Sequence, residues 1–414
     1  MRLLYVVQRY GREIAGGAEQ HCREFATRLS ARGHTVDVVT TCARSYVDWA
    51  NSYPPGTSEI DGVTVHRLAV AEPRDDKAFG LLNNRVPYGD PFVPFHLQLE
   101  WMQAQGPFVP DLVPWLAGRA AGYDAVIFFT YLYYTTWAGL PAAAGRAPTI
   151  LHPTAHAEPA LFLPLYDTTF RHPSAFAFST EEEQALVRRR FRCRQPAKVV
   201  GIGVELGEDG AADEGRFRAA FGLGDRPYLL YVGRVDHAKG CDELYDHFVA
   251  YKRRNAGALA LVLMGDPVRP VAPHDDVIVT GYVDDQTRTD ALAGAVALVQ
   301  PSYFESFSMV LTEAWARRRP ALVQGRCAVL DGQVRRSGGG LPYRGYAEFE
   351  AMVDWLVAHP AEARRMGEAG RRYVESRYDW DVVLRQYEHL LAGTVGRWEP
   401  EALRLAGGGR TLVR

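Results

Sequence analysis

The sequence predicts an α/β protein built from two doubly wound domains in tandem. Three observations carry this. Apolar runs with strand character alternate with amphipathic helical segments in two separate series. A stretch rich in Gly, Asp and Glu, residues 204–226, divides the series as a linker would. And 414 residues exceed what one hydrophobic core usually covers.

The first series opens at Leu3–Val7, an apolar run too short for a signal peptide and suited to a buried strand. Ala18–Arg32 has the periodicity of an amphipathic helix, and Thr35–Thr41 follows the Gly33-His34 turn as a second strand. A strand, a helix and a short return to a strand predict a parallel sheet with right-handed crossovers. Residues 44–122 read as irregular, with a hairpin-like piece at Gly62–Leu68 and many Pro, Trp, Phe and Tyr. An insertion of that kind on a doubly wound sheet shapes a binding cleft. Alternation resumes with Ala125–Phe129, Thr149–Leu151 and Ala175–Phe178. Thr180, with Glu183 three residues on, forms a capping box before a helix that ends in Arg188, Arg189 and Arg190.

The second series has strands at Tyr228–Val232, Ala258–Met264, Val277–Thr280, Ala295–Val299 and Pro320–Val323. Its helices fall near 239–254, 284–294 and 308–318. The resulting division is a first Rossmann-like domain over 1–203, a second over 204–376, a returning helix at about 377–392 and a tail over 393–414. Two such domains imply a cleft between them.

Composition narrows the function classes. The chain is 47% hydrophobic and 23% charged with a net charge of −2, so nucleic acid is excluded as a natural partner. Five cysteines, odd in number and never in a Cys-x-x-Cys pair, argue against both a disulfide framework and a zinc site. They fit a reducing cytoplasm. Residues 125–144 carry no charge over about the length of a membrane span, but Thr, Tyr and Pro141 favour a buried strand followed by a pocket-lining segment. Arg188–Arg190 could make weak peripheral contact with the inner face of an anionic membrane, but a solvated helix end is the stronger reading of them. Only four of the basic residues are lysines (Lys77, Lys198, Lys239 and Lys252), against 43 arginines. Lys239 is therefore unusual for its own chain.

Residues 301–313, Pro-Ser-Tyr-Phe-Glu-Ser-Phe-Ser-Met-Val-Leu-Thr-Glu, are the most informative stretch. A strand feeding a small-residue turn and a helix start presents backbone N–H groups and a positive dipole end to a phosphate. Glu305 and Glu313 beside it cannot bind phosphate and suit hydroxyls. A ligand carrying both, such as a nucleotide sugar, fits. After the second series' first strand come Arg234 and Lys239, flanked by Gly233 and Gly240, where ligands of doubly wound sheets bind. They suit a diphosphate clamp better than two ordinary surface cations. Gly16-Gly17-Ala18-Glu19 closes the first strand–helix loop, but it is not the dinucleotide fingerprint and equally describes a simple turn. His156, with Glu158 nearby, follows a strand end; a structural histidine and a functional one are balanced there. A hydrolase would need its two carboxyls about 5–9.5 Å apart across one bond. Glu305 and Glu313 could meet that spacing, but the phosphate-type features would then have no purpose.

Taken together, these residues resemble the retaining glycosyltransferases of family 4, which have the two-domain GT-B fold. The resemblance runs nearly end to end. It rests on the Gly16-Gly17-Ala18-Glu19 loop, the His156 segment, Gly233-Arg234 with Lys239-Gly240, the Glu-x7-Glu pair Glu305 and Glu313, and Tyr378-Asp379-Trp380 before the closing helix. It implies that Arg234 and Lys239 hold the donor diphosphate, aided by backbone amides at Ser306, Phe307, Ser308 and Met309. Glu313 would take the nucleotide's ribose, Glu305 the sugar hydroxyls, and His156 would face the sugar. Gly16 and Gly17 would approach the donor phosphate or acceptor. It further implies transfer to a glycan, lipid-linked or small-molecule acceptor with neither metal nor cofactor. Two departures stand out: Gly201-Ile202-Gly203-Val204-Glu205 replaces the common Asn-Gly-Val-Asp, and Ser308 stands where glycine is frequent. The rival readings are a nucleotide-sugar epimerase of the same architecture and a non-catalytic carbohydrate-binding protein.

Overall fold

The computed structural model describes residues 1–14, 16–89, 92–207 and 212–399. It divides into two compact units: residues 1–200 with 384–414, and residues 201–383. The expected tail from 393 lies mostly outside the described residues.

The first unit holds an eight-stranded sheet. Its strands are β1 (Arg2–Val6), β2 (Thr35–Thr41), β3 (Gly56–Ile60), β4 (Val63–Leu68), β5 (Ala125–Phe129), β6 (Thr149–His152), β7 (Ala175–Phe178) and β8 (Ala197–Val199). The order is β3-β4-β2-β1-β5-β6-β7-β8, parallel throughout except for the β3–β4 hairpin. A parallel strand is covered on both faces and needs a continuous apolar run rather than alternation. Leu3, Leu4, Tyr5 and Val6 meet that need, as do all five residues of β5, and each of them is fully buried. The helix Gly17–Ala31 returns the chain, burying His21, Cys22, Phe25, Ala26 and Leu29 along one stripe.

The stretch 44–122 is more ordered than its sequence suggests. Besides the hairpin it contains helices Asp76–Arg85, Phe95–Gln105 and Leu112–Arg119. No side chain of the first is fully buried, and only Phe79 and Leu82 pack partly against the core, so its core-facing stripe is thin. The third carries Pro114 in its first turn, where the missing N–H costs nothing. The uncharged segment 125–144 is β5 followed by the helix Tyr134–Ala143. Among the described residues, no helix is long and apolar enough to cross a membrane.

The second unit is a six-stranded parallel sheet. Its strands are β9 (Tyr228–Val232), β10 (Ala260–Met264), β11 (Val277–Gly281), β12 (Ala297–Gln300), β13 (Ala321–Gln324) and β14 (Gly340–Tyr343). Their order is β11-β10-β9-β12-β13-β14. The sequence direction reverses between β9 and β12, which are paired in parallel. That reversal is the topological switch point, where the two outgoing loops part and leave a crevice. The linker reading of 204–226 needs correction at its end. Asp213 caps a helix, Glu214–Ala220, and Arg216 grips Asp290 with two hydrogen bonds of 2.8 Å. That arginine holds the Asp290 carboxyl down at about 2. A Gly- and acid-rich composition reads as solvated chain, yet here it supplies a cap and an ion pair.

Candidate active site

The two loops at the second unit's switch point carry most of the residues singled out by sequence. After β9, Gly233 adopts φ +144°, and the Tyr231 hydroxyl donates to Arg234 O at 2.8 Å. Asp236 then caps a short turn, His237–Lys239, by accepting from Ala238 N–H at 3.2 Å. Gly240 ends the turn at φ +76°, and a Cβ there would lie 2.4 Å from Pro301 O. Both the left-handed backbone and the close approach require glycine. The helix Cys241–Arg254 starts immediately after it.

The second loop leaves β12 at Pro301. Phe307 is buried edge-on against Tyr378, ring centres 5.0 Å apart, and the Gln333 amide donates to Phe307 O. Ser308 has φ +75°, which explains why glycine is common at this position in the resembling family. Gln300 Nε2 donates to its hydroxyl at 3.1 Å. The helix Met309–Ala316 begins at the next residue. Leu311 N–H bonds back to Ser308 O at 3.2 Å, while the N–H groups of Met309 and Val310 come before any intrahelical acceptor, so the positive dipole end lies at this loop.

An ion pair ties the loops together: Lys239 Nζ lies 2.8 Å from Glu305 Oε1. Arg234 pairs within its own loop, 2.8 Å from Asp236 Oδ2. Glu313 lies on the new helix, 3.5 Å from Arg288 Nε. Burial pushes the Glu313 carboxyl above its ordinary value, and Arg288 pulls it back. Arg234, Lys239, Glu305, Ser306, Phe307, Ser308, Met309 and Glu313 thus share the two loops and the helix that flank the β9–β12 reversal. Sequence reasoning passed over Asp236, Gln300, Gln333 and Arg288. Asp236 was open to reading as a cap two residues from Arg234, whereas Gln300, Gln333 and Arg288 carry no local motif and act on Ser308, Phe307 O and Glu313 across 8 to 26 residues.

Gly16, Gly17 and His156 belong to the first unit. Gly16 caps the helix Gly17–Ala31 in an extended conformation, and a Cβ on it would strike the Glu19 carboxylate at 2.1 Å. That carboxylate is locked by Arg9, 2.6 Å away in a pair that is almost wholly buried. A Cβ on Gly17 would meet nothing within 4 Å. His156 follows β6. Its Nδ1 lies 3.6 Å from Glu158 Oε1, which also accepts from the Tyr131 hydroxyl at 2.7 Å. Glu183 does more than box the cap of its helix. Its buried carboxylate accepts from Ala155 N–H at 2.7 Å and Ser179 N–H at 2.6 Å, fixing the loop that bears His156. Burial pushes this carboxyl up to about 8 against the pull of those N–H groups. The capping-box spacing was the only sign of it in the sequence. Arg190 is spent on structure: it pairs with Asp167 at 2.9 Å and donates to Phe162 O. Among the described residues, no group of three or more His, Cys, Asp or Glu converges as metal ligands would.

Two family models match the chain. A "Glycosyl transferase 4-like domain" covers residues 16–203, and "Glycosyl transferases group 1" covers residues 226–340. Glycogen synthase of Mycobacterium tuberculosis is 25% identical over 425 residues, covering 97% of each chain. D-inositol 3-phosphate glycosyltransferase of Nocardiopsis dassonvillei is 25% identical over 423 residues, covering 95% of this chain and 92% of that one. Among solved structures, sucrose-phosphate synthase of Thermosynechococcus elongatus matches with a TM-score of 0.70 at 20% identity, over 96% of this chain and 100% of the other. The Anabaena HepE protein in complex with UDP matches with a TM-score of 0.69 at 16% identity, over 95% and 100%. The structural likeness speaks to the fold, and the family models and curated relatives speak to the class of enzyme. Two parallel-sheet units, their order of strands and these matches agree: the chain is a glycosyltransferase of the GT-B fold.

Proposed function

We propose that the protein is a retaining glycosyltransferase that moves a sugar from a nucleotide-diphosphate donor to a glycan, lipid-linked or small-molecule acceptor, without a resident metal or cofactor. One observation carries the reading. Two cations, Arg234 and Lys239, and the N-terminus of the helix Met309–Ala316 flank the same strand reversal. As the bond from the sugar's anomeric carbon to the phosphate oxygen breaks, negative charge builds on the departing diphosphate. Cations and N–H groups already fixed around that charge stabilise it without reorganising. The acceptor oxygen then bonds the same carbon from the face being vacated, and its proton passes to the leaving phosphate oxygen. That sequence retains configuration and needs no carboxylate as acid.

In this reading Glu313 takes the ribose hydroxyls and Glu305 the sugar hydroxyls. Lys239 turns from Glu305 to phosphate when donor enters. His156 contributes to the sugar, and the Gly16-Gly17 loop to the donor phosphate or acceptor. The curated relatives act on different acceptors by name, so they support transfer as a class. A fold relative that binds UDP makes UDP the first nucleotide to test.

Removing one preorganised donor costs about 2.7–4 kcal/mol, on the order of 10²–10³ in rate. Arg234→Ala and Lys239→Ala should each lose that much turnover while melting within a few degrees of wild type. Donor hydrolysis, followed by nucleotide release after a thermal-shift screen of nucleoside diphosphates, measures it. Near-wild-type turnover in either variant would sink the proposal. So would an epimerised donor in the absence of acceptor, or nucleotide-sugar binding with no nucleotide released under any acceptor.

A further inference from the structure

Asp236 touches the supports of both cations at once. Its Oδ2 meets the Arg234 guanidinium at 2.8 Å, and its side chain accepts from Ala238 N–H. Its backbone carbonyl accepts from the N–H of Lys239 at 3.0 Å and of Cys241 at 3.3 Å. The next peptide upstream is pinned too, since Val235 N–H donates to Asp266 O at 3.1 Å. The carboxylate is thus a fixed point, four-fifths buried, beside a guanidinium that is 42% exposed.

We propose that Asp236 is a positioning residue for the donor diphosphate: it holds the Arg234 side chain and closes the turn that projects Lys239. The inference rests on the donor reading above and adds a residue to it. The opposite role can be stated just as sharply. An acid beside a phosphate-binding arginine could compete with the phosphate, as a placeholder that the donor must displace. Two facts favour positioning. Asp236 is held by its own cap, so it does not follow Arg234 if the arginine moves. And a guanidinium has five N–H donors, so one carboxylate oxygen does not consume it. Glu305 differs on the first point: its carboxylate pairs with Lys239 across the loop gap.

The two roles predict opposite signs. Asp236→Asn keeps the cap acceptor and the shape while removing the charge; Asp236→Ser keeps a cap but cannot reach the guanidinium. Binding of UDP, GDP and ADP is measured by calorimetry on the full chain, with uridine, guanosine and adenosine as phosphate-free controls. Both variants should bind the preferred diphosphate at least tenfold more weakly, with nucleoside binding unchanged as the check on folding. In an Arg234→Gln background, the Asp236→Asn step should lose most of its effect, because the group it acts through is gone. Equal or tighter diphosphate binding by Asp236→Asn overturns positioning, as does full additivity with Arg234→Gln. Failure of the wild type to bind any diphosphate would instead bring down the donor reading itself.

Discussion

The two units hold their candidate site loops by different means. In the second unit, backbone geometry leads, with Tyr231, Gln300 and Gln333 bonding to it: Gly233 and Gly240 sit at positive φ, Ser308 is left-handed, and no room for a Cβ is left between Gly240 and Pro301 O. In the first unit buried side chains lead, although Thr154, two residues before His156, is also left-handed. Glu183 holds Ala155 N–H, Tyr131 holds Glu158, and Glu19 with Arg9 fills the space beside Gly16. Loops set by backbone fail when a side chain is added. Loops set by buried polar groups fail when protonation changes. The units should therefore break under different insults.

Acid is the larger test. His21 and His152 are both buried in the first unit, in an aromatic cluster with Phe25, Phe129 and Tyr387. Tyr387 donates or accepts at 3.0 Å from His152 Nε2, which ties the last helix, Trp380–Val395, to this sheet. Burial lowers the pKa of both rings, that of His21 from 6.5 to about 3. The folded state keeps these rings neutral while the unfolded chain protonates them below about 6.5. Stability is therefore complete above that pH and falls as pH drops through the window from 6.5 toward 3. For His21 the slope is about 1.4 kcal/mol per pH unit, on the order of 4 kcal/mol by pH 3.5. Glu183 opposes them above about 4.5: its carboxyl, raised to about 8, holds a proton in the folded chain that the unfolded chain has lost, so it adds stability as pH falls through that range. Hydrogen exchange read by peptide at pH 7, 4.5 and 3.5 should therefore show first-unit strands losing protection before β9–β14 mainly in the last step. His21→Phe should flatten the first unit's response. Uniform loss across both sheets would break the comparison.

Gly240→Ala is the matching insult to the second unit. Left-handed backbone and a methyl at 2.4 Å from Pro301 O together cost about 2–4 kcal/mol. The strain separates the two loops that Lys239 and Glu305 bridge, so donor binding should weaken along with stability. Gly17→Ala, at a helix start with open space around it, is the control and should be nearly silent in a melt. Equal destabilisation by both would show that the backbone argument misplaces the constraint.

What the sequence revealed follows the same division. Glycines, cap residues and a rare lysine announce themselves within a few positions, so Gly233, Arg234, Lys239, Gly240 and the Pro301–Met309 turn were readable. Nearly all strands of both sheets were readable too, because buried parallel strands are unbroken apolar runs. The exceptions were edges. β14 carries Gly340 and Pro342, which only an edge strand tolerates, and β8 has three residues. The helices within 44–122 stayed hidden because one buries only Phe79 and Leu82, and those in part, another carries an early proline, and Trp49 and Arg74 anchor the stretch by reaching far along the chain. Trp49 Nε1 donates to Gln105 O at 2.8 Å, and Arg74 Nε to Val47 O at 2.9 Å. No local pattern encodes a bond across 56 residues.

The smallest effect is the finest probe. Ser308 pays for its φ of +75° with about 1 kcal/mol of backbone strain, offset in part by the hydrogen bond from Gln300. Ser308→Gly relieves the strain and forfeits the bond, so its stability should stay within about 1 kcal/mol of wild type. Ser308→Ala keeps the strain and forfeits the bond, and should be the least stable of the three by about 1 kcal/mol. Both keep the N–H at the helix start, so both should bind nucleoside diphosphate nearly as wild type does. The order Gly above Ala in a denaturant titration identifies backbone as the constraint on this loop. Ala equal to or above Gly would mean that the left-handed backbone costs nothing here, and the contrast between the units would dissolve at the residue before the helix Met309–Ala316.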